Sequence, residues 1–176
     1  MSKLDMKIIL DDVRSRDAAL LTMLLATDRQ AMALFRVYVT LTVALASAAL
    51  AGMIGAAPYL GVWVVIAAGT MAGCLTLACW YCIQAIKTAT VALPGKGAEF
   101  WQWASRDDVT EEAVIAAYLE QSLNGQDNNF AVNQQSSSYL RMAKRLGVAS
   151  IVLGSIIVVL GASGLVTTAW EVLSHP

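Results

Sequence analysis

The stretch VYVTLTVALASAALAGMIGAAPYLGVWVVIAAGTMAGCLTLACWYCIQAI, Val37 to Ile86, decides the fold. It holds fifty consecutive residues between Arg36 and Lys87 without one Asp, Glu, Lys, Arg or His. An apolar helix crosses the hydrocarbon core of a bilayer in about 20 residues, so the stretch allows two crossings and a short turn. The turn is legible at Gly52-Met53-Ile54-Gly55-Ala56-Ala57-Pro58-Tyr59. A membrane hairpin follows, with span one at Val37 to Ala57 and span two at Leu60 to Ile86.

Gly147 to Trp170 is a second uncharged stretch long enough to span, giving three membrane helices in all. Hydrophobic residues make up 57% of the 176 and charged ones 14%, and the excess over a soluble domain sits in these blocks. The expected fold is therefore an all-α integral membrane protein: a hairpin plus a C-terminal span, with N-terminal and central cytoplasmic helices. Its parts are residues 1–36, a cytoplasmic amphipathic helix; 37–86, the hairpin; 87–146, a cytoplasmic helical segment; 147–170, the third span; and 171–176, a short external tail. The first residues form a charged helix pattern, not a basic, apolar and small-residue cleavage sequence, so no signal peptide is expected. The net charge of -1 gives no reason to expect nucleic-acid binding.

Charge distribution orients the chain, because Lys and Arg near span ends are retained on the cytoplasmic side. Lys3, Lys7, Arg14, Arg16, Arg29 and Arg36 precede span one; Lys87, Lys96, Arg106, Arg141, Lys144 and Arg145 lie between spans two and three. The turn after span one and the tail from Glu171 have none. The N-terminus and middle segment are expected in the cytoplasm and the C-terminus outside.

From Lys3 to Arg36 the pattern is helical. At 100° per residue Ile9, Val13, Leu20, Leu24, Leu34 and Phe35 share one side, while Lys3, Lys7, Arg14, Arg29 and Arg36 fall within an arc of about 80° on another. Asp11-Asp12 or Ser15 offers an alternative start for a fresh helix. The apolar run Ala18 to Thr27, ten residues long, is too short to span and should pack on a partner helix or lie on the membrane. Ala44, Ala48 and Gly52 in span one, and Gly69-x-x-x-Gly73 in span two, have the small-residue spacing that lets helix backbones approach in lipid.

After Lys87 the chain turns at Leu93-Pro94-Gly95-Lys96-Gly97 and enters Phe100-Trp101-Gln102-Trp103. These aromatics suit either the headgroup layer or a small cytoplasmic core. Asp107-Asp108-Val109-Thr110-Glu111-Glu112 is a helix-start signature, and Asn124-Gly125 a plausible stop. Gly125 to Ser138 is almost wholly polar. It forms either a disordered linker or a polar helix held by neighbours and facing a ligand or another subunit. Tyr139 to Arg145 is helical and leads into span three.

Catalytic chemistry is not legible here. No Gly-rich phosphate loop, metal-ligand cluster or nucleophile with a His partner is present, and His175 lies beyond the last span. Cys79-x-x-Cys82 sits inside an apolar helix, where small packing residues are the expectation rather than redox chemistry. No ionisable residue interrupts a span, which disfavours a proton-coupled transporter or a membrane-embedded enzyme. Neither enzymatic activity nor a cofactor is expected. A pore would be lined by uncharged groups, with Thr70, Thr76, Gln84, Ser150 and Ser155 as candidates.

The charged helix before span one, the short-turn hairpin, and the polar run ending in Tyr139-Leu140-Arg141-Met142-Ala143-Lys144-Arg145 resemble the Pycsar-type membrane-effector domain and related small multi-helix effectors of bacterial anti-phage defence. The resemblance covers nearly the whole chain. It implies a homo-oligomer in the lipid bilayer of a bacterial inner membrane, its C-terminus periplasmic, that is activated during infection by a cyclic nucleotide or a partner defence protein and then compromises the membrane. Arg106, Asn133, Lys144 and Arg145 are the candidate cytoplasmic sensing or interface residues. The alternative is a non-conducting anchor or scaffold that recruits a soluble partner.

Overall fold

The computed structural model describes residues 6–57, 61–86 and 96–163. Among these the chain is all-helical, with α1 at Met6–Met53, α2 at Val62–Ile86, α3 at Ala98–Ala104 and α4 at Glu111–Ala162. Helices α1, α2 and α4 are each long and apolar enough to cross a membrane. The chain divides into two compact units, one joining Met1–Arg29 to Lys87–Ser137 and the other joining Gln30–Ile86 to Ser138–Pro176. Both α1 and α4 contribute to each unit and are unbroken at the boundary.

Neither Asp11-Asp12 nor Ser15 restarts a helix, since α1 runs through them. Its buried and half-buried positions Val13, Asp17, Leu20, Leu24, Thr27 and Ala31 recur at alternating spacings of four and three, the spacing of a seam against a neighbouring helix. The helix stops at Met53, where Gly55 takes φ of 72°, a left-handed conformation that glycine adopts without a Cβ clash. Residues 58–60 of the expected turn lie outside the described residues, as do 93–95 of the second turn and 164–170 of the third span.

Helix α4 departs most from expectation. Its start is as read: the Ala113 N–H donates to Thr110 Oγ1 at 3.3 Å, with Glu111 and Glu112 in the first turn. Gly125, however, does not end it, and the polar run is helix throughout. A glycine inside a helix costs about 1 kcal/mol relative to alanine, an amount that packing of a long helix readily offsets. The packing is visible in the burial pattern: Ser122, Gln126, Asn129, Asn133, Ser136, Leu140, Ala143, Gly147, Ser150 and Gly154 are buried or half-buried. Their spacings alternate four and three without a fault, a seven-residue repeat that holds one face of a gently supercoiled helix against its neighbours.

In the second unit α2 is the inner helix, with 33% of its most apolar window buried against 17% for α4 and 11% for α1. The core gathers Tyr38, Leu75, Ala78, Cys79, Cys82 and Ala143, with Ala31, Ala85 and Leu140 packed together beside Leu34 and Ile86. Close approach comes from glycines at seven-residue spacing on α4. Tyr38 lies over Gly147, Met71 over Gly154 and Trp63 over Gly161. Gly52 of α1 receives Val65 of α2 in the same way. Gly69 and Gly73, by contrast, face open space, with nothing within 4 Å of a Cβ placed at either.

Substitution separates these two kinds of glycine. Gly147→Ala and Gly161→Ala, set against a rigid ring and the root of an indole, should each destabilise by about 1–3 kcal/mol through overpacking. Gly154→Ala should cost less, because the Met71 thioether can swing aside. Gly73→Ala should be neutral or stabilise by up to about 1 kcal/mol. Reversible unfolding of the full chain in mixed micelles reads these differences, and an equal loss at Gly73 and Gly161 would contradict the packing.

Candidate functional site

Within the first unit, α3 brings Phe100 inward. The ring is buried, with its centroid 5.3 Å from Trp101, 5.5 Å from Trp103 and 6.2 Å from Tyr118 of α4. The headgroup and core readings of these aromatics divide by residue: Phe100 is core, while Trp101 is half-exposed at 50%. The Lys96 ammonium stands over the Tyr118 ring at 4.8 Å and the Phe100 ring at 6.0 Å, an arrangement in which the ring quadrupole attracts the cation. Burial lowers the Lys96 pKa below the usual lysine range, and the nearby Asp17 carboxylate partly offsets this. Beside this cluster lies an open cavity of about 480 Å³ lined by Glu99, Phe100, Trp103, Ala117 and Gln121. It offers aromatic faces, one amide and one carboxylate, a surface that suits binding better than bond-breaking.

The polar seam of α4 meets α1 in the same unit. The Thr27 hydroxyl lies 3.3 Å from Asn133 Oδ1 and 3.0 Å from the Met23 carbonyl, so its single proton is donated to one or the other. Ser122, Gln126, Asn129 and Ser136 are buried along this seam. A polar seam fixes register at a cost in stability. Next to Thr27, burial raises the Asp28 carboxyl pKa above the usual carboxylate range.

The candidate sensing residues do not converge. Arg106 and Asn133 belong to the first unit, Lys144 and Arg145 to the second. Arg106 is exposed in the link between α3 and α4, its backbone N–H donating to the Trp103 carbonyl at 3.2 Å. Lys144 is exposed and reaches Gln30 Oε1 at 3.4 Å, and Arg145 is exposed. Asn133 is the one of the four placed inside a helix seam.

The candidate pore residues also separate. Thr70, Thr76 and Gln84 share the outward side of α2 within an arc of about 120°. Thr70 and Thr76 turn their hydroxyls back onto the Ile66 and Ala72 carbonyls at 2.9 Å each. Ser150 is fully buried and donates to the Gly147 carbonyl at 2.7 Å, so it faces helices of its own protomer. Ser155 opens onto an apolar cleft of about 420 Å³ between Leu45, Ala67, Met71, Gly154 and Val158. The three cysteines are free thiols, and Cys79 and Cys82 are packing residues of the core. Among the described residues no group of three His, Cys, Asp or Glu converges as a metal site.

Sequence reasoning missed two features: the glycine heptad of α4 and the cavity beside Phe100. The first had a signal, Gly147, Gly154 and Gly161 at equal intervals. The second joins α3 to α4 across fourteen or more residues, as between Trp103 and Ala117, and had none. Compared with known proteins, the chain matches no family model, no curated protein and no solved structure.

The raised Asp28 pKa carries a sign. The folded state holds this proton more tightly than the unfolded chain, whose carboxyl titrates near pH ~4. Stability therefore rises as pH falls from neutral through the raised pKa, and the gain is complete once the unfolded carboxyl is also protonated. Asp28→Asn should be more stable than the parent at pH 7 and should lack this increment on acidification. Thermal melts of both chains in detergent at pH 4 and pH 7 test it, and an equal acid response in both would refute the assignment.

Proposed function

We propose that the chain is an oligomeric inner-membrane effector that permeabilises its membrane in anti-phage, abortive-infection defence, with its N-terminus and middle segment cytoplasmic and its C-terminus periplasmic. The observation that carries this reading is the continuity of α1 and α4, each of which runs without a break from a charged, polar segment into a stretch able to span the bilayer. A ligand or partner that prefers one arrangement of the cytoplasmic segments thereby biases helices that sit in lipid. Three helices enclose no channel, so conduction requires several copies. The outward side of α2, with Gly69, Gly73, Thr76 and Gln84, supplies an uncharged, weakly polar lining. The placement of all twelve basic residues supports the orientation, and the resemblance of the order of parts to Pycsar-type effectors supports the defence role.

Overproduction in bacteria tests the output without knowledge of the activator, because a high copy number populates the oligomer by mass action. Induction of the full chain should collapse the membrane potential and admit a membrane-impermeant dye while growth stops. Gln84→Leu should weaken both effects without changing the amount of protein in the membrane. A membrane that stays tight while the oligomer forms would support the anchor reading instead.

A further inference from the structure

Two exposed stripes in the first unit are complementary. On α1, Asp11, Arg14, Ala18, Leu25 and Arg29 are exposed and fall within an arc of about 60° at 100° per residue. On α4, Glu112, Glu120, Leu123, Asp127 and Phe130 are exposed and fall within an arc of about 80°. Apart from Asp11 at its start the α1 stripe is basic, the α4 stripe is acidic, and both carry large apolar side chains in the open: Leu25 at 56% on α1, and Leu123 at 58% and Phe130 at 60% exposure on α4. Among the described residues none of these charged groups forms an ion pair. The proposed orientation leaves this segment in water, where apolar side chains of this size mark an interaction surface.

The geometry says how the stripes can meet. In this unit the two helices run in the same direction: Asp17 lies near Lys96, which sits on Tyr118, and further along both chains Thr27 meets Asn133. Each stripe lies about a third of a turn on from its own helix's seam, in the same rotational sense. Two parallel helices that face each other therefore carry these stripes on opposite sides of the pair, so the stripes cannot meet within one protomer. The offset set by Thr27 and Asn133 places Arg14 level with Glu120 and Leu25 within one residue of Phe130. A rotation about an axis along the helices keeps copies at equal height, so it brings these same residues together between neighbours.

We infer that the partner for both stripes is a second copy of this chain, the α1 stripe of one protomer docking on the α4 stripe of the next in a head-to-tail ring. Such heterologous contacts close into rings when the rotation permits, and opposite charge sets both register and partner. The inference deepens the oligomer reading above and rests on it.

Cross-linking in native membranes tests it on the full chain. Leu25→Cys and Phe130→Cys combined in one chain should give, on mild oxidation, a ladder of disulfide-linked species absent from the parent chain. Neither single variant should form dimers above the parent's level, whereas the two single variants produced together should give dimers and no longer ladder. Arg14→Glu added to the double-cysteine chain should abolish the ladder, and Glu120→Arg added to that should restore it, which distinguishes a lost charge pair from a misfolded chain. Dimers from Leu25→Cys alone would overturn the head-to-tail arrangement. Oligomers captured by an amine-reactive cross-linker without any disulfide ladder would overturn this interface and leave the oligomer reading standing. Monomer under both reagents would overturn both.

Discussion

Helices in lipid gain nothing from burying apolar surface against one another, so their association depends on how closely their backbones approach. In this protein that approach is concentrated at Gly147, Gly154 and Gly161, where α4 admits Tyr38, Met71 and Trp63. Each of these large side chains fills a gap that any Cβ would close. The rest of the second unit is organised around that contact. Cys79, Cys82 and Ala78 are small enough to let α2 lie inside the bundle, and Tyr38 enters the same cluster from α1.

The seven-residue repeat that places those glycines does not stop where the spanning stretch does. It continues back along α4, but its occupants change from Leu140, Ala143 and Gly147 to Ser136, Asn133, Asn129, Gln126 and Ser122. The same geometry is thus built from small residues where lipid demands close packing and from hydrogen-bonding residues elsewhere. The two kinds of seam differ in strength. Close-packed contacts in lipid resist separation, whereas a polar seam exchanges its hydrogen bonds with water at modest net cost. Under the proposed function an activator would act on the polar part, which the unbroken α1 and α4 share with the apolar stretches. The Lys96 cation held on Tyr118, and the cavity beside it, lie in the same unit as that polar seam.

Much of this was legible in the residues. The three spanning helices follow from uncharged length, and the inward side of α1 follows from the recurrence of Val13, Leu20 and Leu24. The reading of Gly125 failed because local propensity favours a stop there, while the seam on either side, visible only when the whole repeat is followed, carries the helix through. Gly69-x-x-x-Gly73 matched a familiar spacing yet faces outward; spacing alone does not say which face a neighbour occupies. The aromatic cluster depends on a short helix folding back onto α4, a long-range contact with no periodic trace. Of the candidate sensing residues Arg106, Asn133, Lys144 and Arg145, only Asn133 lies inside a seam.

We propose that the protomer is incomplete and functions as a closed set of copies. Native mass spectrometry of the full chain, released from bilayer nanodiscs, tests it most directly. One discrete multiple of the 18.7 kDa chain is expected, persisting on dilution. A single 18.7 kDa species under the same conditions would contradict it.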